Sequence, residues 1–220
     1  VYTKKNYLLG PVKFFFMVVY SYYLSYKLFG VSLKPKVCFR SGLFRVKLVV
    51  AFDSNCTIES GLLFFEKWRS GVSSSLSVGS GGQIEIGGSF SIGDNCKIVI
   101  APAGTLIIGG ATSRQSSGIT SDCIILCHES VEIGCETIIS WGCYISDSSQ
   151  HKINGSLKIA PVFIGNHVWV SEGVTCAPGS GIADGVIVGA KSYVNKKYPE
   201  SVFIAGCPAK IKQTAVSWER

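Results

Sequence analysis

A chain of 220 residues, 47% apolar and only 16% charged, is long enough for one domain with a core and too apolar to be disordered. Its net charge of +7 is unevenly placed: residues 1–50 hold nine Lys/Arg, no acid precedes Asp53, and the remainder carries 12 basic against 14 acidic residues. A nucleic-acid reader would carry its basic residues on the folded domain, so no nucleic-acid partner is expected. The basic residues instead surround the most apolar stretch, 11–30 (PVKFFFMVVYSYYLSYKLFG). Pro11 suits a first helical turn and Gly30 a helix end, so the stretch reads as one helix within a basic N-terminal extension, 1–36. Lys13 and Lys27 leave 13 uncharged residues between them. That is about 20 Å of helix against a hydrocarbon core of about 30 Å, too short to span. No small-residue cleavage site follows, so a secretory signal is not expected. Two readings stay open: an interfacial anchor making peripheral contact with an anionic membrane, and a helix packed on the domain or a neighbouring subunit.

From about residue 37 a period of six sets in. Phe52 and Ile58 bracket one unit, Val78 and Ile84 start another register, and Ile86, Ile92 and Ile98 a third. Cys127, Ile133, Ile139 and Ile145 then head CHESVE, IGCETI, ISWGCY and ISDSSQ. The polar runs 66–75 and 109–122 read as corner loops, and 146–160 as a longer interruption. Five clean units follow: IGNHVW, VSEGVT, CAPGSG, IADGVI and VGAKSY, over 164–193. Each opens on an aliphatic residue or cysteine, has Gly, Ser or Ala second, and Val or Ser fifth. A period of six fits neither a helix nor a plain strand. It fits a three-faced coil whose turns of about 18 residues stack on one another. The coil is placed at 37–194 and a short C-terminal tail at 195–220, leaving through Pro199 and Pro208. The 25 glycines suit so many turns.

Nine cysteines without a CxxC pair read as reduced packing residues of a cytoplasmic protein. Cys96 and Cys143 fall at fifth places and Cys127 and Cys176 at first places, all facing the coil's interior. Cys123, Cys127 and His128 form the one metal-like cluster, and consecutive coil positions account for it without a metal.

The segment IGNHVWVSEGVTCAPGSGIADGVIVGAKSYV, followed by AGCPAKIK at 205–212, resembles the hexapeptide-repeat acyltransferases. Within them it is similar to the branch of maltose, galactoside and nodulation acetyltransferases and surface-polysaccharide O-acetyltransferases. The resemblance is strong over about 127–212, weaker over 50–126 and absent from the first 35 residues. It implies an all-β left-handed parallel β-helix, a homotrimer, and acetyl-CoA bound between neighbouring subunits. The family's catalytic histidine matches His151, in ISDSSQHKI. An imidazole that titrates near neutrality can take the proton of an incoming hydroxyl or amine. Asp147 is a candidate to hold its tautomer, or a turn residue bonding its own backbone. His128 and His167 read as exposed corner residues.

On the acetyl-CoA side the resemblance implies Ser171 and Ala190 as small contacts along the pantetheine, Asn195 and Lys196 lower down, and Lys210 and Lys212 near the phosphates. The family often has Gly where Ser171 stands, and here Glu172 brings a carboxylate nearby. Trp169 reads as a channel wall or corner cap, and Trp141 as a sugar platform or corner cap. The expected activity is O-acetylation of a sugar in a cell-surface polysaccharide or its lipid-linked precursor. Alternatives are N-acetylation of a nucleotide-linked amino sugar or small xenobiotic, and a non-catalytic trimeric scaffold. A metalloenzyme like the gamma-class carbonic anhydrases would need all three histidines, which are spaced 23 and 16 residues apart, so no metal is expected.

Overall fold

The computed structural model of the chain describes residues 5–40, 45–67, 72–111 and 116–219. Among them are one helix, α1 (Lys5–Phe29), and 23 short strands. The strands form three sheets of nine, seven and seven, and apart from the final antiparallel pair bonded neighbours lie three strands apart in sequence. The chain therefore visits faces one, two and three in turn and begins again. It is a left-handed parallel β-helix, as the six-residue period and the family resemblance led one to expect.

Register explains the repeat. Ile108, Ile133, Ile164 and Ile182 stand directly above one another on face three, and all are buried. Ile98, Ile125, Ile145, Cys176 and Val194 do the same on face two. Each such side chain contributes about 1.5–3 kcal/mol by leaving water. The second place is small because coils nearly touch there: a Cβ on Gly134 would lie 2.7 Å from the Asn166 backbone nitrogen of the next coil. In the five clean units the fourth residue is always left-handed: His167, Gly173, Gly179, Gly185 and Lys191 have φ between 51° and 81°. Three are glycines, which take that conformation without steric cost.

The 18-residue turn holds only near the end, where Ile164 pairs with Ile182 and Val170 with Val188. Ile133 pairs with Ile164, 31 residues on, because the loop after Ser146 is inserted between them. Two other expected loops are shorter than read, since strands Ser74–Val78, Thr105–Gly110 and Gly118–Ile119 cut into them. Residues 68–71 and 112–115 lie outside the described residues. The coil also continues past Val194, with Lys197–Tyr198 and Val202–Ala205 pairing parallel to earlier strands. Lys210–Thr214 then turns back antiparallel.

Helix α1 closes the first coil. Ser21, Leu24, Ser25 and Leu28 make one helical stripe and are buried against it. The Ser25 hydroxyl accepts the Val37 N–H at 2.9 Å, and the Tyr20 hydroxyl meets the Val46 backbone at 3.0 Å. The helix begins at Lys5, so Pro11 lies inside it rather than in its first turn. Pro11 is exposed, and water can take the carbonyl that its missing N–H leaves open.

All nine cysteines are free thiols. Cys96, Cys123 and Cys143 stack at one inner corner, where their thiols donate to the carbonyls of Thr120, Ser140 and Ser171 at 3.0–3.2 Å. Burial pushes the Cys127 and Cys176 thiols up to about 12. A thiol so raised stays neutral in the folded chain while the unfolded chain ionises. Stability is therefore full below the ordinary thiol value of 9.0 and falls as pH rises from there toward about 12. Two outcomes are expected: alkylation at pH 8 should label exposed Cys207 and spare Cys96, Cys123, Cys127, Cys143 and Cys176 until denaturation, and the melting temperature should drop between pH 9 and 12. Mass spectrometry of the labelled peptides and a pH series of melts check them.

Candidate active site

The coil has three edges, and the expected site residues lie at two of them, apart from Trp169, Lys210 and Lys212 on the sheet of face one. His151 leaves the edge between faces two and three, in the loop joining Tyr144–Ser146 to Val162–Ile164. Asn195 and Lys196 follow Tyr193–Val194 on that same edge, and both are exposed. Trp141, Ser171 and Ala190 lie on the other edge, between faces one and two. Trp169 faces outward from face one, between Ile138 and Ile187. Within one chain, the width of face two separates His151 from the small-residue edge.

His151 is exposed, and its backbone is fixed on both sides. Its N–H donates to the Ser149 carbonyl at 2.7 Å, and its own carbonyl accepts the Ser149 hydroxyl at 2.9 Å. The preceding Gln150 is left-handed at φ 62°, which turns the chain outward there. Ser148 and Ile159 bridge across the loop's base, and Ile153 and Ser156 across its tip.

Asp147 is not placed as a partner of the His151 ring. It is fully buried, and its carboxylate accepts the N–H groups of His128, Glu129 and Ser130 at 2.7–2.9 Å. Its carbonyl accepts Ala160 N–H at 2.8 Å, so it ties the start of the loop to its end. A carboxylate needing this many donors finds them in the turn of the coil below, not in an exposed ring. Asp147 is thus a positioning residue for the loop that carries His151.

His128 is half-buried rather than an exposed corner. Its Nδ1 is buried without a hydrogen bond, 3.7 Å from the Asp147 carboxylate. The signal available in the sequence was its size: it fills a second place, which is small in every clean unit.

The acetyl-CoA candidates form two groups. Ser171 donates its N–H to the Val188 carbonyl at 3.0 Å, and Ala190 lies exposed two residues beyond Val188. Small side chains therefore follow one another up that edge. Glu172 does not stand free there, because Lys191 pairs with it at 3.0 Å on the surface. Lys196 sits 5.5 Å over the Tyr198 ring, and Lys210 and Lys212 are exposed on the returning strand. Trp141 is 41% exposed and its carbonyl accepts the Gly173 N–H.

His167 is likewise no open corner. Trp218 stacks on its ring at 4.4 Å, its Nε1–H donates to the His167 carbonyl, and the His167 Nε2–H donates to the Trp218 carbonyl. The tail thereby brings Trp218 to 6.1 Å from the Trp169 ring. No pattern in the sequence announced this contact, since Trp218 lies 51 residues away in an unrepeated tail.

No family profile matches the chain. Among curated proteins it is 39% identical over 97 residues to a putative lipopolysaccharide biosynthesis O-acetyl transferase, WbbJ, of Escherichia coli K12, covering 38% of this chain and 50% of that one. It is 34% identical over 91 residues to a putative colanic acid biosynthesis acetyltransferase, WcaF, of the same strain, covering 40% and 50%. The chain thus spans about half the length of these curated relatives. Among solved structures, the polySia-specific acetyltransferase NeuO aligns over 80% of this chain and 89% of its own, at 19% identity and a TM-score of 0.46. The relatives bear out the resemblance to the hexapeptide-repeat acyltransferases read from the repeats.

Replacing Asp147 by alanine removes the acceptor of three partly buried N–H groups and is expected to cost about 3 kcal/mol of stability, with Asp147→Asn costing less because one oxygen remains. Denaturant unfolding measures the loss, and faster amide exchange at His128, Glu129 and Ser130 localises it. Wild-type exchange at those amides in Asp147→Ala would refute the anchoring role.

Proposed function

We propose that this hexapeptide-repeat chain is an acetyl-CoA-dependent O-acetyltransferase acting on a sugar of a cell-surface polysaccharide or its lipid-linked precursor. The observation that carries the proposal is the His151 loop: the coil breaks its period once at length, and a buried carboxylate holds the break so that an imidazole is presented to solvent. The relatives' names, lipopolysaccharide and colanic acid biosynthesis, support the acceptor class.

In the proposed reaction the His151 imidazole takes the proton of a sugar hydroxyl as its oxygen attacks the thioester carbonyl. A tetrahedral oxyanion forms, and a backbone N–H beside the thioester stabilises it. The carbon–sulfur bond then breaks. The CoA thiolate leaves and regains the proton from His151, so the imidazole ends neutral and the acetyl group rests on the sugar oxygen. Ser171 and Ala190 leave room for the pantetheine arm, while Asn195, Lys196, Lys210 and Lys212 supply donors and positive charge for its lower end and phosphates. Trp141 and Trp169 offer flat faces to the acceptor and the acyl channel.

His151 and the Ser171–Ala190 edge lie on different edges of one chain, which supports a homotrimer in which one copy's loop faces another copy's small edge. Ile153, Leu157, Ile159 and Phe163, on and just after the loop, expose apolar surface that such a neighbour would cover. Free thiols and acetyl-CoA together suit a cytoplasmic setting.

The His151→Ala variant is expected to lose acetyl transfer from acetyl-CoA to a glycan acceptor by roughly 100- to 10,000-fold while keeping the wild-type oligomeric mass. Turnover by acetyl release and mass by light scattering check this. Unchanged turnover would remove His151 from the mechanism, and no transfer by the wild type to any glycan would favour a scaffold.

A further inference from the structure

We propose that α1 and the first coil form a docking surface for an anionic phospholipid bilayer, which the chain grips from one side without crossing. The starting observation is how little of α1 the coil covers. Its buried stripe begins at Ser21, whereas residues 11–16 are exposed all round the helix. Phe14, Phe15 and Phe16 stand there 62%, 63% and 59% exposed. Tyr22, Tyr23 and Tyr26 continue the uncovered face toward Val31 and Leu33 in the linker.

The first coil extends the same surface. A groove of about 630 Å³ runs between helix and coil, and Tyr23, Tyr26, Lys27, Val49 and Phe52 line it. Of the 21 large hydrophobic side chains exposed among the described residues, 12 fall between Val12 and Phe52. That is far more apolar surface than a soluble face ordinarily shows.

Charge decides what covers it. Exposed Lys13, Lys27, Lys34, Arg45 and Lys47 surround the aromatic side chains. The sequence supplies nine basic residues and no acid before Asp53. A second copy brought onto this face would set two such basic segments against each other, with no carboxylate within residues 1–52 of either. An anionic headgroup layer supplies the missing charge, and each lysine near it gains about 1 kcal/mol. Tyrosines and phenylalanines flanked by lysine suit the headgroup and upper acyl region. No helix among the described residues is long and apolar enough to cross a membrane.

Vesicle flotation of the full chain tests the proposal. Vesicles of phosphatidylcholine with phosphatidylglycerol should carry the chain up the gradient, and pure phosphatidylcholine vesicles should carry little. Raised salt should weaken binding, and Lys13→Gln and Lys27→Gln should each weaken it roughly fivefold. The triple variant Phe14→Ser, Phe15→Ser, Phe16→Ser should lose vesicle binding while keeping its melting temperature, since these side chains touch no core. His151→Ala should float like the wild type, so failure of the catalytic reading is distinguishable from failure of this one. Wild-type chain that stays at the bottom with both vesicle types overturns the proposal. So does a triple variant that changes oligomeric mass, which would assign the face to contact between copies.

Discussion

Parallel backbone pairing between successive coils is the constraint on which the rest depends. Each strand is two to six residues long, and those inside the sheets bond to the strand one full turn below and the one above. Such short strands hold only if every coil returns to the same register, and that demand sets side-chain size around the circuit. First places carry the stacked aliphatics, second places must be small where the next backbone passes within contact distance, and fourth places must turn left-handed. Extra residues can enter only at an edge, where no ladder hydrogen bond is lost. The loop bearing His151 is an insertion of that kind, and its position follows from the stacking rule before any chemistry is considered.

Asp147 is where register is handed from coil to loop. A buried carboxylate would ordinarily be costly, yet here it ends a strand and accepts the three successive N–H groups of His128, Glu129 and Ser130, where a turn leads into the next strand. One side chain therefore satisfies the coil below and fixes the loop above. The same logic explains why the candidate site is divided. Edges admit irregularity and faces do not, so the His151 loop and the small-residue stretch each occupy an edge, and face two keeps them apart in a single chain. The proposed threefold assembly would bring an edge of one copy to an edge of the next without disturbing any ladder.

What the sequence disclosed tracks what repetition controls. Ile164, Val170, Cys176, Ile182 and Val188 were legible as one inward-facing series because six-residue spacing has no other structural reading. His151 was singled out by the family resemblance, and the structure places it on an exposed loop ahead of that series. Partners set by the insertion itself were not legible. Asp147 lies four residues from His151, a spacing that suggested a pair, but the strand end turns its carboxylate toward the coil below. His128 lies 19 residues from Asp147 and becomes its neighbour only through the coil's stacking. The Trp218 contact depends on a tail that repeats nothing, so no periodic argument reaches it.

The two proposals together constrain the acceptor. With α1 on a bilayer, the first coil lies nearest the lipid, and His151 leaves face two after its fifth strand, Tyr144–Ser146. Four strand spacings separate that strand from Val46–Val50, which is roughly 20 Å along the coil axis. With that axis standing away from the membrane, a sugar attached directly to a lipid headgroup would lie well below the imidazole. A glycan several residues long would bring a hydroxyl to its height.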